Sequence, residues 1–156
     1  MNNMSCCENL RKASYEGHLS CLKYLSESGQ QLTDQEIHWV AVRGHLDCLE
    51  YIHERGVQLE DGIVYWASKK GHLPCLKYAH ENGCPFHKKT TYITALNGCL
   101  DCLRYIFEVI GCEVAPWDER LDKHMDSFSN EVKEYLKEVR DDWVNKRNRL
   151  GINVKG

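Results

Sequence analysis

Apolar and polar positions along the 156-residue chain recur with a long period, not with one continuous helical or strand rhythm. With Gly17, Gly44, Gly71 and Gly98 taken as offset zero, Leu stands at +2 and +5, Cys at +4 and Tyr at +7 in all four copies. Offset +8 is Leu25, Ile52, Ala79 and Ile106. Positions +4, +5 and +8 share one face of a helix and +7 lies beside them, so each copy predicts an amphipathic helix of about two to three turns. The starting glycines are 27 residues apart each time. A fixed period of that size marks stacked repeats, in which a single unit cannot bury its own apolar face.

A shorter apolar stretch precedes each glycine. Offset −5 is Lys12, Trp39, Trp66 and Ile93, and offsets −4 and −3 are small: Ala13-Ser14, Val40-Ala41, Ala67-Ser68, Thr94-Ala95. Small residues let a first helix sit close to its neighbours, and the glycine reads as a tight turn into the second helix. Trp39 and Trp66 are read as core. Asp34, Asp61 and Thr90 stand where N-caps of the first helices belong. Gly29, Gly56 and Gly83 stand where a left-handed C-terminal cap belongs; in the fourth copy that glycine is Gly111, one position later. Four units follow, at about 10–29, 33–56, 61–83 and 88–111. Beyond them the pattern weakens into a capping unit at 117–142, with one helix from Trp117 to Phe128 and another from Asn130 to Val144. The repeats and cap form one domain, 1–142, followed by a basic tail, 143–156.

Composition narrows the class. The net charge is −3 with ordinary apolar content, and no apolar run approaches the about 18 residues of a membrane span. The first eight residues lack the basic-then-apolar pattern of a secretory signal. Nine cysteines would suit a disulfide scaffold, but Cys21, Cys48, Cys75 and Cys102 occupy one offset in successive units. Packed helices lie about 8–10 Å apart, whereas a disulfide needs α-carbons within about 4.4–6.8 Å. These cysteines therefore read as a ladder of small buried hydrophobes in a reducing compartment, cytoplasmic or nuclear and not secreted.

Little in the chain suggests chemistry. His18, His45 and His72 each stand three residues before the repeat cysteine, and Cys99-x-x-Cys102 takes their place in unit four. A zinc site needs converging ligands, so these pairs are read as packing, with no metal and no cofactor expected. Tyr24, Tyr51, Tyr78 and Tyr105 read as partly buried packing residues. There is no phosphate-binding Gly-rich loop, no H-E-x-x-H and no G-x-S-x-G, so an enzyme is not expected.

The copies resemble the ankyrin repeat, whose consensus reads A-A-x-x-G-H-L-E-I-V-x-x-L-L-x-x-G. Ala67 matches its first alanine, Gly71-His72-Leu73 its G-H-L, Cys75-Leu76 its I-V and Gly83 its closing glycine. Ile37-His38 is similar to the L-H of the family's T-P-L-H. The wording A-x-x-x-G-H-L-x-C-L-x-Y-L-x-E-x-G-C-P resembles the ankyrin proteins that large DNA viruses of amoebae encode, which implies a viral protein in a host cell. Ankyrin units usually run to about 33 residues. The shortfall here falls in the connector that makes the family's β-hairpin finger. The fold implied is an all-α, ankyrin-like solenoid of stacked helix-turn-helix units with abbreviated or missing β-hairpins.

The resemblance also implies a non-enzymatic protein–protein interaction module with its partner on the concave face. Carried over by offset, the turn residues are Tyr15 and Glu16, Val42 and Arg43, Lys69 and Lys70, and Leu96 and Asn97. Arg55 joins them from offset +11, as do Lys88 and Lys89 from the connector before unit four. The middle of that face would be basic, which predicts a protein partner with an acidic patch. The alternative is nucleic-acid or chromatin association, with Lys146, Arg147 and Arg149 of the tail meeting phosphates. No membrane partner is expected. The chain is read as a monomer or a weak homo-oligomer that associates through its incompletely capped first unit.

Overall fold

The computed structural model describes residues 7–111 and 117–150, apart from the side chains of residues 61, 88, 143 and 146–150. Four helix pairs run through it: α1 Leu10–Glu16 with α2 Leu19–Glu27, α3 Asp34–Arg43 with α4 Leu46–Glu54, α5 Asp61–Lys70 with α6 Leu73–Glu81, and α7 Lys88–Leu96 with α8 Leu100–Tyr105. A π-helical turn, Ile106–Ile110, continues α8. Then come α9 Glu119–Lys123, a 3₁₀ turn at Met125–Ser127 and the long α10 Asn130–Leu150. Among the described residues there is no strand, so the connectors carry no β-finger.

The first helices bury offsets −7, −4 and −3: Leu10, Ala13 and Ser14 in α1, Ile37, Val40 and Ala41 in α3, and Val64, Ala67 and Ser68 in α5. Their small side chains let α1, α3, α5 and α7 pack closely along one row. The second helices bury Cys, Leu and the residue at +8, and they stand further apart. Leu22, Leu49 and Leu76 are fully buried at the join between the two rows.

The opening glycines of units one to three are each met by the next unit. Gly44 has φ +79°, and the ring of His72 lies so close that a β-carbon there would be 2.4 Å from Nδ1. Gly17 meets His45 in the same way. The histidine then bonds across the layer: His45 Nε2 lies 3.1 Å from the Tyr15 carbonyl, and His72 Nε2 3.0 Å from that of Val42. In unit four Cys99 takes this role, its thiol donating to the Lys69 carbonyl at 3.7 Å. On the second row the tyrosines make matching links, with the Tyr51 hydroxyl 2.6 Å from that of Ser26. The hydroxyls of Tyr78 and Tyr105 lie 2.9 Å from Nδ1 of His53 and His80. Tyr24, with no earlier helix pair to meet among the described residues, is 45 % exposed.

Several local expectations need correction. The caps of α3, α5 and α7 are Thr33, Glu60 and His87, not Asp34, Asp61 and Thr90. Thr33 and Glu36 form a reciprocal capping box, which fixes the start of α3 one residue earlier than Asp34 would. Lys88 and Lys89 are not in a connector but open α7. The helix placed at 117–128 is broken into α9 and the 3₁₀ turn. The last helix runs beyond Val144 to Leu150, so the first half of the basic tail is helical. Residues 1–6, 112–116 and 151–156 lie outside the described residues.

Unit four ends differently for a stereochemical reason. Units one to three close with an i to i−5 bond past a left-handed glycine, as in Cys84 N–H to the Ala79 carbonyl after Gly83. In unit four Ile110 stands where that glycine would be, and a branched side chain disfavours positive φ. The chain stays right-handed and makes the same bond, Gly111 to Ile106, through a π turn. Beyond it Leu121, Phe128, Val132, Tyr135 and Leu136 form a second core against Ala95 and Leu103.

Candidate functional site

The outward offsets of the first helices are −6, −5, −2 and −1. Burial of −7, −4 and −3 leaves these on the opposite face of the same helices, and they form one continuous surface. It carries Arg11, Lys12, Tyr15 and Glu16 from α1; His38, Trp39, Val42 and Arg43 from α3; Tyr65, Trp66, Lys69 and Lys70 from α5; and Tyr92, Ile93 and Leu96 from α7, with Asn97 just beyond it.

Five aromatic rings cross this surface in contact. Tyr15 meets Trp39 at 5.5 Å between centroids, Trp39 meets His38 at 5.5 Å, His38 meets Trp66 at 5.4 Å and Trp66 meets Tyr65 at 5.2 Å. All four contacts are edge-to-face, the arrangement the ring quadrupoles favour. Cations lie over the rings: Arg43 4.6 Å above Tyr15, Arg11 5.3 Å above Trp39, and Lys69 4.8 Å above Trp66. A shallow depression of about 300 Å³ opens beside them, lined by Asn9, Arg11, Lys12, Tyr15 and Trp39.

Trp39 and Trp66 are therefore not core, as the sequence reading had them, but half-buried members of an outward surface. The signal was present in Lys12, which occupies the same offset in unit one and cannot be a core residue. His38, Tyr65 and Arg11 were missed with them.

The structure gathers some of the sequence-derived residues and separates others. Tyr15 and Arg43 touch each other, and Lys69 touches the ring chain. Glu16, Val42, Lys70, Leu96 and Asn97 lie on the same row of helix ends. The backbone carbonyls of Tyr15, Val42 and Lys69 are held by the next layer, which fixes where their side chains start. Arg55 sits apart at the end of α4, paired with Glu27 at 3.4 Å and lying over Tyr51 at 5.2 Å. Lys89 is exposed on the first turn of α7. The side chains of Lys88, Lys146, Arg147 and Arg149 lie outside the described residues.

The repeat thiols are structural. Cys48, Cys75 and Cys102 are buried, and burial pushes their pKa values up to about 11, about 11 and about 12. Neutral thiols of this kind are poor nucleophiles. Unit one differs, because Cys7 from the lead-in segment joins the His18-x-x-Cys21 pair. No described helix is long and apolar enough to cross a membrane.

No protein-family profile matches the chain, and no curated protein does. Solved structures do. The chain is similar to the human ASB11 ankyrin repeat domain, with a TM-score of 0.57 and 19 % identity, over 65 % of this chain and 54 % of that one. It thus spans about half the length of that domain. Four stacked helix pairs, glycine turns read by the next layer's histidine, and this structural likeness together give the chain the ankyrin-repeat fold, in a form whose units keep the helices and lack the hairpin.

Proposed function

We propose that the chain is a non-enzymatic protein-interaction module that takes an acidic, partly apolar segment of its partner on the first-helix surface. The single observation that carries this is the chain of rings from Tyr15 to Tyr65 with Arg43, Arg11 and Lys69 laid over it. Trp, Tyr and Arg dominate the energetics of protein interfaces because they present large, stiff, amphipathic surfaces. The rings are already packed against one another, so binding orders few new rotamers. The row of first helices is the more tightly packed of the two, and a stack tighter on one side curves toward that side. This surface is thus read as the concave one.

Charge selects the partner. The chain is net acidic, yet this surface carries Arg11, Lys12, Arg43, Lys69 and Lys70 against Glu16. A cation resting on a ring keeps N–H donors on its far side, so carboxylates can be met without losing the ring contact. The attraction speeds association and weakens with salt.

Selection from a displayed random-peptide library tests the reading. Peptides rich in Asp and Glu with an aromatic or aliphatic anchor are expected. Their affinity should fall at least about thirtyfold in Trp39→Ala or Trp66→Ala, as for an interface anchor, and should drop with rising salt. Peptides without acidic residues, or equal binding by a folded Trp66→Ala/Lys69→Glu variant, would remove this surface from consideration.

A further inference from the structure

We infer that the first unit carries a zinc site, built from Cys7, His18 and Cys21 with Glu16 completing the coordination. Sγ of Cys7, a ring nitrogen of His18 and Sγ of Cys21 all lie within 4.8 Å of one another. Cys7 Sγ is 3.1 Å from His18 Nδ1, and a Glu16 carboxylate oxygen is 3.4 Å from that nitrogen and 4.0 Å from that sulfur. With zinc–sulfur bonds of about 2.3 Å and zinc–nitrogen or zinc–oxygen bonds of about 2.0–2.2 Å, a tetrahedral ion separates its ligand atoms by about 3.3–3.8 Å. The ligand atoms of Cys7, His18 and Cys21 stand within about an ångström of that arrangement, and the Glu16 oxygen approaches two of them. Two sulfurs with one imidazole and one carboxylate form a borderline-soft set, which favours Zn²⁺ over Mg²⁺ or Ca²⁺.

The repeat itself supplies the control. His45 and His72 occupy the same offset as His18 and lie three residues before Cys48 and Cys75. There the ring packs on the preceding glycine and its Nε2 bonds a carbonyl of the preceding layer. In unit one the lead-in replaces that layer, and it brings a cysteine that is 2 % exposed to the histidine. Cys21 is 5 % exposed, so the two sulfurs lie inside the end of the stack while His18 and Glu16 stand at its rim. An ion held by Cys7 from the lead-in, Glu16 at the end of α1, and His18 and Cys21 on α2 would fasten the lead-in across the first helix pair. Each bound thiol releases its proton and binds as thiolate.

Zinc titration of the reduced full-length protein, read against a competing chelator, should give one equivalent per chain. Cobalt in its place should give thiolate charge-transfer absorption and the d–d bands of a tetrahedral site. His18→Gln, at a solvent-accessible position, should keep the far-ultraviolet circular dichroism and weaken zinc binding at least about a hundredfold. Glu16→Gln should weaken it about tenfold, and an unchanged affinity would remove Glu16 from the ligand set. His45→Gln should leave stoichiometry and spectrum as they were. Zinc should raise the unfolding temperature of the wild type and not that of His18→Gln. The site is overturned if the reduced wild type takes up no zinc. It is equally overturned if the cobalt bands survive in both Cys7→Ser and His18→Gln, or if thiol mapping finds a Cys7–Cys21 disulfide under reducing conditions.

Discussion

Replacing Gly44 by alanine would put a methyl carbon 2.4 Å from Nδ1 of His72, on backbone held at φ +79°. Gly98 has the same kind of backbone, φ +70°, but nothing within 4 Å of that position. The left-handed conformation alone costs an L-residue about 1–2 kcal/mol. Gly44→Ala must also displace the ring that bonds the Val42 carbonyl, so it should destabilise by about 3 kcal/mol against about 1 for Gly98→Ala. Urea unfolding midpoints compare the two, and equal losses would show that the histidine–glycine contact contributes nothing. A substitution in the opposite direction is Ser68→Ala. The Ser68 hydroxyl is buried with no partner, and Ala41 and Ala95 fill the same offset in their units. An unpaired buried hydroxyl costs about 1–3 kcal/mol, so this variant should hold or raise the unfolding temperature. The repeating glycine and histidine were legible as a pattern. Which histidine meets which glycine was not, because a period states that positions are equivalent and not which neighbour each one touches.

Helix starts show where legibility stops at the scale of one element. The period placed eight repeat helices to within a few residues, because leucine and cysteine at fixed offsets leave one face for burial. It did not separate Thr33 from Asp34, since both are good caps and they are adjacent. Reciprocity decides between them: Glu36 bonds both the Thr33 N–H, at 3.0 Å, and its hydroxyl, at 2.7 Å. Thr33→Ala should therefore cost about 1 kcal/mol and Asp34→Ala a few tenths, measured by chemical denaturation. The reverse order would return the cap to Asp34. The tryptophans were misread for a related reason. An apolar residue at offset −5 fits a helical stripe, but −7, −4 and −3 already fill the contact with neighbouring layers and leave −5 outside. Only the rotation of the first helix, which the exposed Lys12 fixes in unit one, tells these alternatives apart.

Across the whole molecule the buried thiols make one ladder, and it links stability to pH. Cys48, Cys75 and Cys102 are held neutral chiefly by burial, with pKa values of about 11, about 11 and about 12 against an ordinary 9.0. In the unfolded chain each thiol loses its proton near pH 9, while in the stack each keeps it to higher pH. Between those values the unfolded state binds fewer protons than the folded one, so stability falls as pH rises. The contribution is complete below about pH 9 and is lost progressively toward pH 11, by up to about 1.4 kcal/mol per pH unit for each thiol. Tyr78 and Tyr105, which link second helices, act in the same direction at higher pH, since burial raises them as well. Urea midpoints taken under reducing conditions from pH 7.5 to 10.5 should stay level and then drop. A Cys48→Ala/Cys75→Ala variant should shallow that drop, because alanine keeps a small apolar group at each rung and removes the proton. If the double variant declines as steeply as the wild type, the thiols are not what couples the stack to pH. The layers would then be separating through some other group, and the tyrosine links would be the next to remove.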